Sequence, residues 1–474
     1  MNYRQALSYL DGFVNYERKS PLAGARPAFS LETVRDMSRA LGEPWRRFDS
    51  LHIAGTKGKG STCAFTAAML RANGCRVGLY VSPHLQHVRE RCSINGAWIP
   101  EADFARILSA CVPVLDALRQ SFPDRPPTYF EILTHVAFAW FAERQVDAAV
   151  IEVGLGGRLD ATNIIQPLAC AVCNISLDHT AILGATVALI AREKAGIFKP
   201  GVPIVSAPQS ADVELVLREC AARIGTGTGT VTPIEFVGQS ILCKQSEPKS
   251  VGADASTSTN AVEWPLPRAW ASLPDGAEFN ATLGLRGAHQ IENWAVALRL
   301  ADLFCRKKTG RGIPSSAVEK GAADTVWPGR LEVFDEKGAP PLLLDGAHNA
   351  HSLEVVLQQV RQNLPRRAPL VCLFGCAKDK DSKGMLAALA REQSGADKLV
   401  LTDSCNPRGS EPHELLADWS NISNREARVC IDAEQALALS KKLATSSGAV
   451  LVAGSLYLAG KIRSLVIAPA PHGE

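Results

Sequence analysis

Short apolar runs alternate with amphipathic segments along most of the chain. In the first half, runs rich in Val, Ile, Leu and Ala are each followed by a segment with helical periodicity, and they cover residues 50–55, 76–82, 147–154, 168–176 and 202–207. Strands that are apolar at nearly every position are typical of a parallel sheet with helices on both faces. The pattern therefore predicts an α/β fold built on a mostly parallel sheet.

The pattern changes between residues 224 and 280, where Gly, Ser and Thr are frequent and strand-like runs are short. This composition predicts a small β-rich elaboration with a flexible insert at 224–262. The amphipathic stretch 289–304 returns to the first domain, and 307–330 predicts a last helix and a linker. A second set of apolar runs then alternates with helices and predicts a smaller, Rossmann-like domain from the runs 341–345, 370–375, 398–403, 427–431 and 449–454.

Domain boundaries follow from this change of pattern. We expect an N-terminal domain at 1–326, a linker at 327–331 and a C-terminal Rossmann-like domain at 332–474. A length of 474 residues with 46% hydrophobic and 21% charged residues is enough for two or three globular domains.

Charge and cysteine content restrict the possible partners and the compartment. A formal net charge of +3 favours a small or anionic ligand over nucleic acid or a membrane surface. The 13 cysteines form no CxxC pairs, which predicts reduced thiols in the core. The sequence shows neither a secretory signal nor an apolar run long enough to span a membrane, so we expect a cytoplasmic protein, acting as a monomer on small molecules.

The glycine-rich stretch HIAGTKGKGSTCAF at 52–65 is the clearest local signal. It joins a predicted strand to a predicted helix, so its backbone N–H groups can point at phosphate oxygens, with Lys59 neutralising charge and a hydroxyl available to Mg²⁺. The strict P-loop pattern is not met, because Ile53 stands where its first glycine should be and Gly60 follows Lys59. A glycine turn ahead of an ordinary helix is the alternative interpretation.

Polar residues also follow the neighbouring strands. Glu152 ends one predicted strand and His179 follows another, at the sheet edge where α/β proteins bind ligands, so Glu152 could hold the metal of ATP opposite the loop. A single Glu or His at such a position is often structural, but two at one edge favour a metal site. Lys194 falls within the apolar stripe of the helix that starts at Thr186. Its amine must either extend to the helix edge or have a buried role.

Seven segments in a fixed order carry a resemblance to a known family. They are GTKGKGS (55–61), YVSPHLQHVRERCSING (80–96), TYFEILT (128–134), IEVGLGGRLDATNII (151–165), LDHTAILGATVALIAREKAGIFKPG (177–201), WPGRLEV (327–333) and LLLDGAHNAHS (342–352). Together they resemble the folylpolyglutamate synthase and dihydrofolate synthase branch of the Mur ligase superfamily. The resemblance implies a P-loop domain of the Mur ligase central type followed by a Rossmann-like ligase domain. Lys57, Cys92 and the 224–262 insert depart from the family pattern.

The resemblance also implies roles for individual residues. It implies that Ser82, Glu152 and His179 bind Mg²⁺ and that Lys194 is carbamylated, which would make it an anionic group supporting the metal site. The implied catalytic residues are Lys59, Glu152, His179, Lys194 and Arg330. The implied ATP-binding residues are Gly55, Thr56, Gly58, Lys59, Gly60, Ser61, Asn293, Arg330, Asp345 and His348.

The pterin end of the substrate would contact two of the matching segments. The implied residues are Thr128, Tyr129, Phe130, Glu131, Leu159, Asp160 and Ala161. Phe130 and Leu159 could equally belong to a core. In the same way, Arg330 could be a solvated linker charge, and an ordinary βα turn would explain Gly346 and Asn349.

The implied reaction is ATP-dependent amide formation. A substrate carboxylate attacks the γ-phosphate to give an acyl phosphate, and the amine of L-glutamate then displaces phosphate, with catalysis resting on positioning and electrostatics. The acceptor could be dihydropteroate, a reduced folate, or both in turn. The alternatives are a Mur-type ligase of another acid and amino acid, a small-molecule kinase or ATPase, and a nucleotide-binding regulatory protein that leaves ATP intact.

Overall fold

The computed structural model describes residues 1–17, 30–226, 232–246, 264–406 and 408–467. Apart from its residues 224–226 and 232–246, the insert predicted at 224–262 lies outside the described residues. The chain forms two compact units. The first extends to Thr325, and the second comprises the chain from Val326 onward together with residues 264–267 and 285–288.

An eight-stranded sheet is the basis of the described part of the first unit. Its strands are β1 (Asp49–Ala54), β2 (Val77–Tyr80), β3 (Cys92–Ile94), β4 (Ala97–Trp98), β5 (Ala148–Glu152), β6 (Ala169–Val172), β7 (Ile204–Ser206) and β8 (Ile234–Phe236). Their spatial order is β4-β3-β2-β5-β1-β6-β7-β8. All neighbours from β2 to β8 are parallel, which confirms the predicted sheet. The antiparallel edge formed by β3 and β4 was not predicted, because these short strands carry little apolar signal.

Helices cover both faces of this sheet, since β5 is buried at every residue. The helices are α1 (Tyr3–Asp11), α2 (Leu31–Ala40), α3 (Lys59–Ala72), α4 (Glu101–Ser121), α5 (Tyr129–Glu143), α6 (Thr180–Leu183), α7 (Val187–Ala195), α8 (Ala211–Thr226), α9 (His289–Thr309) and α10 (Ser315–Ala323). One core joins α1, α4 and α5 to β2 and β5, and another joins α7 and α8 to β6 and β7.

The β-rich elaboration is a separate antiparallel sheet of the first unit. It consists of β9 (Leu242–Gln245), β10 (Arg268–Ser272) and β11 (Glu278–Thr282), in the order β11-β10-β9. Its strands follow a β-alternation, since Ala269 and Ala271 of β10 are buried between half-exposed neighbours.

The second unit is a doubly wound domain of the predicted type. Its strands are β12 (Glu332–Phe334), β13 (Leu342–Leu344), β14 (Leu370–Phe374), β15 (Lys398–Leu401), β16 (Ala427–Val429) and β17 (Ala449–Ala453), and its helices are α11 (Ala350–Asn363), α12 (Ser382–Leu389), α13 (Pro412–Ile422), α14 (Ala433–Ala444) and α15 (Leu456–Val466). The order is β12-β13-β17-β14-β15-β16, with only β12 antiparallel among the described strands.

Two general properties of the chain follow from these elements. The 13 cysteines are all free thiols, and most of them are buried. Within the described residues, no helix combines the length and the apolar character that a membrane crossing requires.

Helix α10 packs closely on α3, the helix that follows the glycine loop. The contact point is Gly321, where an added Cβ would overlap the backbone of Met69. A glycine at such a crossing lets two helix backbones approach more closely than any side chain would permit. The position of α3 therefore depends on the absence of a side chain at residue 321.

We expect Gly321→Ala to destabilise the first unit by about 2 kcal/mol, because overpacking forces the two helices apart. Urea unfolding followed by circular dichroism measures the effect. Ser316→Ala, on the exposed face of α10, is the matched control and should leave the midpoint unchanged. A midpoint in Gly321→Ala equal to that of the control would contradict the packing argument.

Candidate active site

The glycine loop connects β1 to α3, and its backbone conformation requires glycine. Gly55 has φ 153° and Gly58 has φ 85°, values that residues with a Cβ rarely adopt. A Cβ on Gly55 would also clash with Cys173, and one on Gly58 would clash with the amide of Asn293. Both glycines are thus fixed by conformation and by close packing, which a mere flexible turn would not require.

The loop is held in place by the segment that follows β6. The N–H groups of Thr56 and Lys57 donate to the carbonyl of Asn174 at 2.9 and 3.1 Å. The hydroxyl of Thr56 donates to the carbonyl of Ser176 at 3.1 Å. These bonds occupy the first amides of the loop, so the amides left for an anion are those at the start of α3.

The N-terminus of α3 carries the features of an anion site. The N–H groups of Lys59, Gly60 and Ser61 lie in the first helical turn, where no intrahelical acceptor exists. The helix dipole adds partial positive charge there, and the Lys59 side chain adds a full charge. This arrangement suits the phosphates of a nucleotide.

Glu152 is brought to the same place by strand pairing. Glu152 ends β5 and pairs in register with Ile53 of β1, next to the loop. Its carboxylate lies 3.8 Å from Lys59 Nζ, and the two side chains are 5% and 17% exposed. It also accepts from the N–H of Ser82 at 3.2 Å. The structure therefore brings Lys59, Ser82 and Glu152 together.

His179 and Lys194 line one pocket with the loop. The pocket is formed by residues of the loop, the segment after β5 and the segment around α6: Gly55, Thr56, Lys59, Gly154, Leu155, Gly156, Asp178, His179, Leu183 and Lys194. His179 directly precedes α6 with a left-handed φ of 49°, and its side chain is 48% exposed. An accessible imidazole at this edge can meet a ligand in the pocket.

Lys194 keeps its amine inside the protein rather than at the helix edge. The residue is 5% exposed, and Nζ donates to the carbonyl of Gly55 at 2.8 Å. Burial, assisted by the charge of Lys59, lowers the pKa of Lys194 to about 7. A substantial fraction of this amine is therefore neutral, and so nucleophilic, near neutral pH.

The donors at this edge suit Mg²⁺ in part. Mg²⁺ prefers oxygen ligands, binds one or two carboxylates, and completes its shell with water and phosphate oxygens. The buried carboxylate of Glu152 and the hydroxyl of Ser82 fit that chemistry, whereas an imidazole such as His179 is a less typical ligand. Among the described residues, no group of three His, Cys, Asp or Glu side chains forms a metal cage by itself.

Residues predicted to contact the pterin have local structural partners. Thr128 caps α5, and the N–H and the hydroxyl of Thr128 donate to the carboxylate of Glu131 at 2.7 and 2.8 Å. Phe130 packs under Gly154, where a Cβ would clash with its ring, and Tyr129 is buried. These contacts account for the positions of all four residues by packing and capping alone.

Asp160 and its neighbours form the other predicted pterin contact. The carboxylate of Asp160 is buried and accepts from the N–H groups of Leu155 at 2.8 Å and Thr162 at 3.0 Å. Ala161 is also buried, while Leu159 is partly exposed. Asp160 thereby ties the turn at Thr162 to the pocket-lining segment Gly154–Gly156.

Asn293 lies on α9 directly behind the glycine loop. Its Nδ2 donates to Gln290 at 2.9 Å, its carbonyl faces the Thr62 hydroxyl at 3.5 Å, and its side chain packs against Gly58. The structure therefore brings Asn293 close to the loop residues with which the resemblance grouped it.

Arg330, Asp345 and His348 come together within the second unit. Asp345 follows β13, is buried, and accepts from the N–H groups of Leu331 and Ala347, both at 2.8 Å. Burial raises the pKa of Asp345, and the charge of Arg330 opposes that rise. The Nδ1 of His348 lies 2.8 Å from the carbonyl of Gly346. Arg330 thus stands beside a carboxylate instead of being an isolated linker charge.

Several residues of the first-unit site were missed by sequence reasoning. Asn174 and Ser176 hold the loop through backbone carbonyls, and such a role leaves no side-chain signal. Asp178 lines the pocket beside His179 and could have been found, since it lies within the LDHTAILG part of a matching segment. His52 and Thr162 support Asp160 from a buried position.

The comparisons with known proteins agree with this geometry. Residues 329–456 match the family described as Mur ligase, glutamate ligase domain. The chain is 31% identical to the dihydrofolate synthase/folylpolyglutamate synthase of Bacillus subtilis (strain 168), over 97% of this chain and 98% of the relative.

Solved structures give the same result. The folylpolyglutamate synthase of Mycobacterium tuberculosis, solved with ADP and AMPPCP, is 28% identical and matches with a TM-score of 0.84 over 99% of each chain. Escherichia coli FolC in complex with DHPP and ADP is 26% identical and matches with a TM-score of 0.79 over 98% of each.

The glycine loop places Lys59 beside Glu152, and a Rossmann-like domain follows along the chain. Together these features define a protein of the Mur ligase class. Within that class the relatives that match over nearly the whole length are of one kind. The chain belongs to the dihydrofolate synthase/folylpolyglutamate synthase family.

The pKa of Lys194 generates a prediction about its reactivity. Because the pKa is lowered to about 7, the amine is neutral above that pH and protonated below it, so it should react with dissolved CO₂ increasingly as the pH rises through 7. Carbon-13 NMR of the protein in labelled bicarbonate should show a carbamate signal at pH 8 that declines at pH 6. Lys194→Arg should abolish the signal; its persistence in that variant would assign it to another lysine.

Proposed function

We propose that this protein uses ATP to join L-glutamate to a folate-type carboxylate through an acyl phosphate. The observation that carries the proposal is the convergence of Lys59, Glu152 and the N-terminus of α3 at one sheet edge. The B. subtilis relative is called a dihydrofolate synthase/folylpolyglutamate synthase, and the E. coli relative was solved with DHPP and ADP. These names support ATP as the nucleotide and a folate-type acid as the acceptor.

The residues of the first unit would act mainly by positioning and by charge. The N–H groups at the start of α3 and the amine of Lys59 would hold the phosphates and stabilise negative charge as the γ-phosphoryl group moves to the acceptor. The loop brings little reorganisation cost, because Asn174, Ser176 and Lys194 already hold it. The acceptor carboxylate then needs only to lie in line with the γ-phosphate.

Mg²⁺ would be held by Glu152 and Ser82, with His179 as a further contact from the pocket. When bound, the ion would neutralise phosphate charge and polarise the γ-phosphoryl group. The 3.8 Å separation of Lys59 and Glu152 places a cation beside the carboxylate, and this pair keeps the buried charge of Glu152 compensated.

We further propose that Lys194 functions as a carbamate. The neutral amine attacks CO₂, an N–C bond forms, and one proton is released to solvent, which leaves an anionic group. The physical support is the burial of the amine and its repulsion by Lys59, which both lower the pKa of Lys194. A carbamate would replace this repulsion between two cations with an attraction.

We propose that Arg330 supplies positive charge to the nucleotide phosphates during turnover. Its neighbour Asp345 accepts two backbone N–H groups, which orders the turn at which Arg330 and Leu331 lie. A guanidinium held beside such a turn can form paired hydrogen bonds to phosphate oxygens.

The activity itself is tested by phosphate release in a matrix of conditions. Tetrahydrofolate, dihydropteroate and a blank are each combined with L-glutamate or with none. Release that requires both an acid and glutamate is expected for a ligase, and the acid that works identifies the acceptor. Release with an acid but without glutamate would indicate a kinase, and release in the blank would indicate an ATPase; either result would contradict the proposal.

Lys59→Met and Glu152→Gln should each lower kcat/KM by about 100-fold or more, since each removes charge that acts on the phosphoryl group. Steady-state phosphate release measures the effect, and circular dichroism checks the fold. Lys57→Asn is the matched control in the same loop and should retain activity, because the bond of Lys57 to the Asn174 carbonyl is made by the backbone N–H, which asparagine keeps. Full activity in Glu152→Gln would contradict the metal assignment.

Arg330→Ala should lower kcat by about 100-fold, because it removes charge that acts on the nucleotide. It should also lower stability, because Arg330 offsets the buried charge of Asp345. Arg366→Ala, at an exposed position of the same unit, should be unchanged. Arg330→Lys should recover only part of the loss, since an ammonium cannot form the paired bonds of a guanidinium. Equal kcat values for Arg330→Ala and Arg366→Ala would contradict a role in turnover and would show that Arg330 is only a solvated charge.

A further inference from the structure

A buried histidine with a defined hydrogen bond stands on the central strand of the first unit. His52 lies on β1, three residues before Gly55, and is fully buried. Its Nε2 is 2.8 Å from the hydroxyl oxygen of Thr162. Its Nδ1 is also buried and has no hydrogen-bond partner among the described residues.

The direction of this hydrogen bond follows from the next one. The Thr162 hydroxyl donates its single proton to the carboxylate of Asp160, so towards His52 it can only accept. The histidine must therefore carry its proton on Nε2, which leaves the unpartnered Nδ1 as a bare acceptor. Burial, with the nearby charge of Lys199, lowers the pKa of His52 to about 3, so the ring stays neutral at ordinary pH.

Asp160 connects the hydrogen bond between His52 and Thr162 to the pocket. Its carboxylate accepts from the N–H of Leu155 at 2.8 Å, and Gly154, Leu155 and Gly156 form one wall of the pocket that Lys59 and His179 also line. Burial raises the pKa of Asp160, whereas its hydrogen bonds lower it. The net result is a raised pKa for Asp160, and donors such as the Thr162 hydroxyl oppose that rise and hold the carboxylate in one orientation.

The glycine loop is held by different contacts. Its bonds run to Asn174 and Ser176 and to the amine of Lys194, and none of these involves His52. A change at His52 should consequently affect the wall at residues 154–156 and leave the nucleotide cradle intact.

We propose that His52 is a positioning residue for the ligase reaction, acting through Thr162 and Asp160 on the pocket wall formed by Gly154, Leu155 and Gly156, and that this wall contacts the acceptor. The proposal rests on the proposed function for its kinetic consequence. Its structural part is the chain His52 Nε2–H to Thr162 hydroxyl to Asp160 carboxylate to Leu155 N–H.

The first experiment is independent of activity. Nitrogen-15 NMR of histidine-labelled protein, with His52 assigned by its loss in His52→Gln, should show a neutral Nε2–H tautomer that does not titrate between pH 5 and 8. Hydrogen exchange of the peptide spanning residues 154–163 should accelerate in His52→Leu and in Thr162→Val. An Nδ1–H tautomer, or unchanged exchange in both variants, would overturn the proposal.

The second experiment separates positioning from general stability. In His52→Leu and Thr162→Val, the KM for whichever of tetrahydrofolate or dihydropteroate is turned over should rise at least about tenfold, while the KM for ATP stays within about twofold. His52→Gln should recover most of the loss, because its amide presents an N–H close to the place of Nε2. Thr162→Ser should do the same, because it keeps the hydroxyl.

His135→Leu is the matched control. His135 is the other deeply buried histidine of this unit, and burial lowers its pKa to about 4, but its ring makes no hydrogen bond to residues 154–163 within the described structure. Its acceptor KM should not change. Equal rises in both KM values in His52→Leu, or an equal acceptor effect in His135→Leu, would overturn the proposal.

The two proposals fail separately. Phosphate release without dependence on glutamate in the unaltered protein would contradict the proposed function, and hydrogen exchange would still decide whether His52 orders the wall. If phosphate release depends on glutamate but the acceptor KM is unchanged in His52→Leu, only the His52 proposal is contradicted.

Discussion

A buried carboxylate beside a lysine, at the ends of two adjacent parallel strands, is the constraint around which the first unit is arranged. Glu152 is nearly inaccessible, and its charge is compensated by Lys59 and by the N–H of Ser82. An ionised group in such a place is stable only with partners of this kind. The pairing of β5 with β1 on one side and with β2 on the other supplies those partners, so a change in the register of this sheet would also change the site.

Positive charge is concentrated around that carboxylate. Lys59, the first residue of α3, and Lys194 line the same pocket, and Asp178 is its acidic residue. The repulsion of the two lysines contributes to the lowered pKa of Lys194. A triphosphate would relieve this excess of positive charge, and a carbamate on Lys194 would relieve part of it. The pocket thus has more basic than acidic side chains, which suits an anionic ligand such as a phosphate.

Much of the fold could be predicted from the sequence, because its strands are apolar at nearly every position and its helices are amphipathic. The parallel sheet of the first domain and the second doubly wound domain were predicted on that basis and are confirmed. The edge strands β3 and β4 were not predicted, since β4 is exposed and both are short. The pairing of short edge strands depends on the neighbour that tertiary folding supplies, and their own composition carries no such information.

For the site, the sequence alone determined which residue types were available: the glycine loop with Lys59, the strand-ending Glu152, and a lysine in the apolar stripe of α7. Only the tertiary structure decided which of them meet, that Lys194 donates to Gly55 instead of extending to solvent, and that His52 supports Asp160 through Thr162. The reason is physical. Periodicity reports which face of an element is buried, whereas a hydrogen bond between residues 110 positions apart exists only once strand order and register have brought them together.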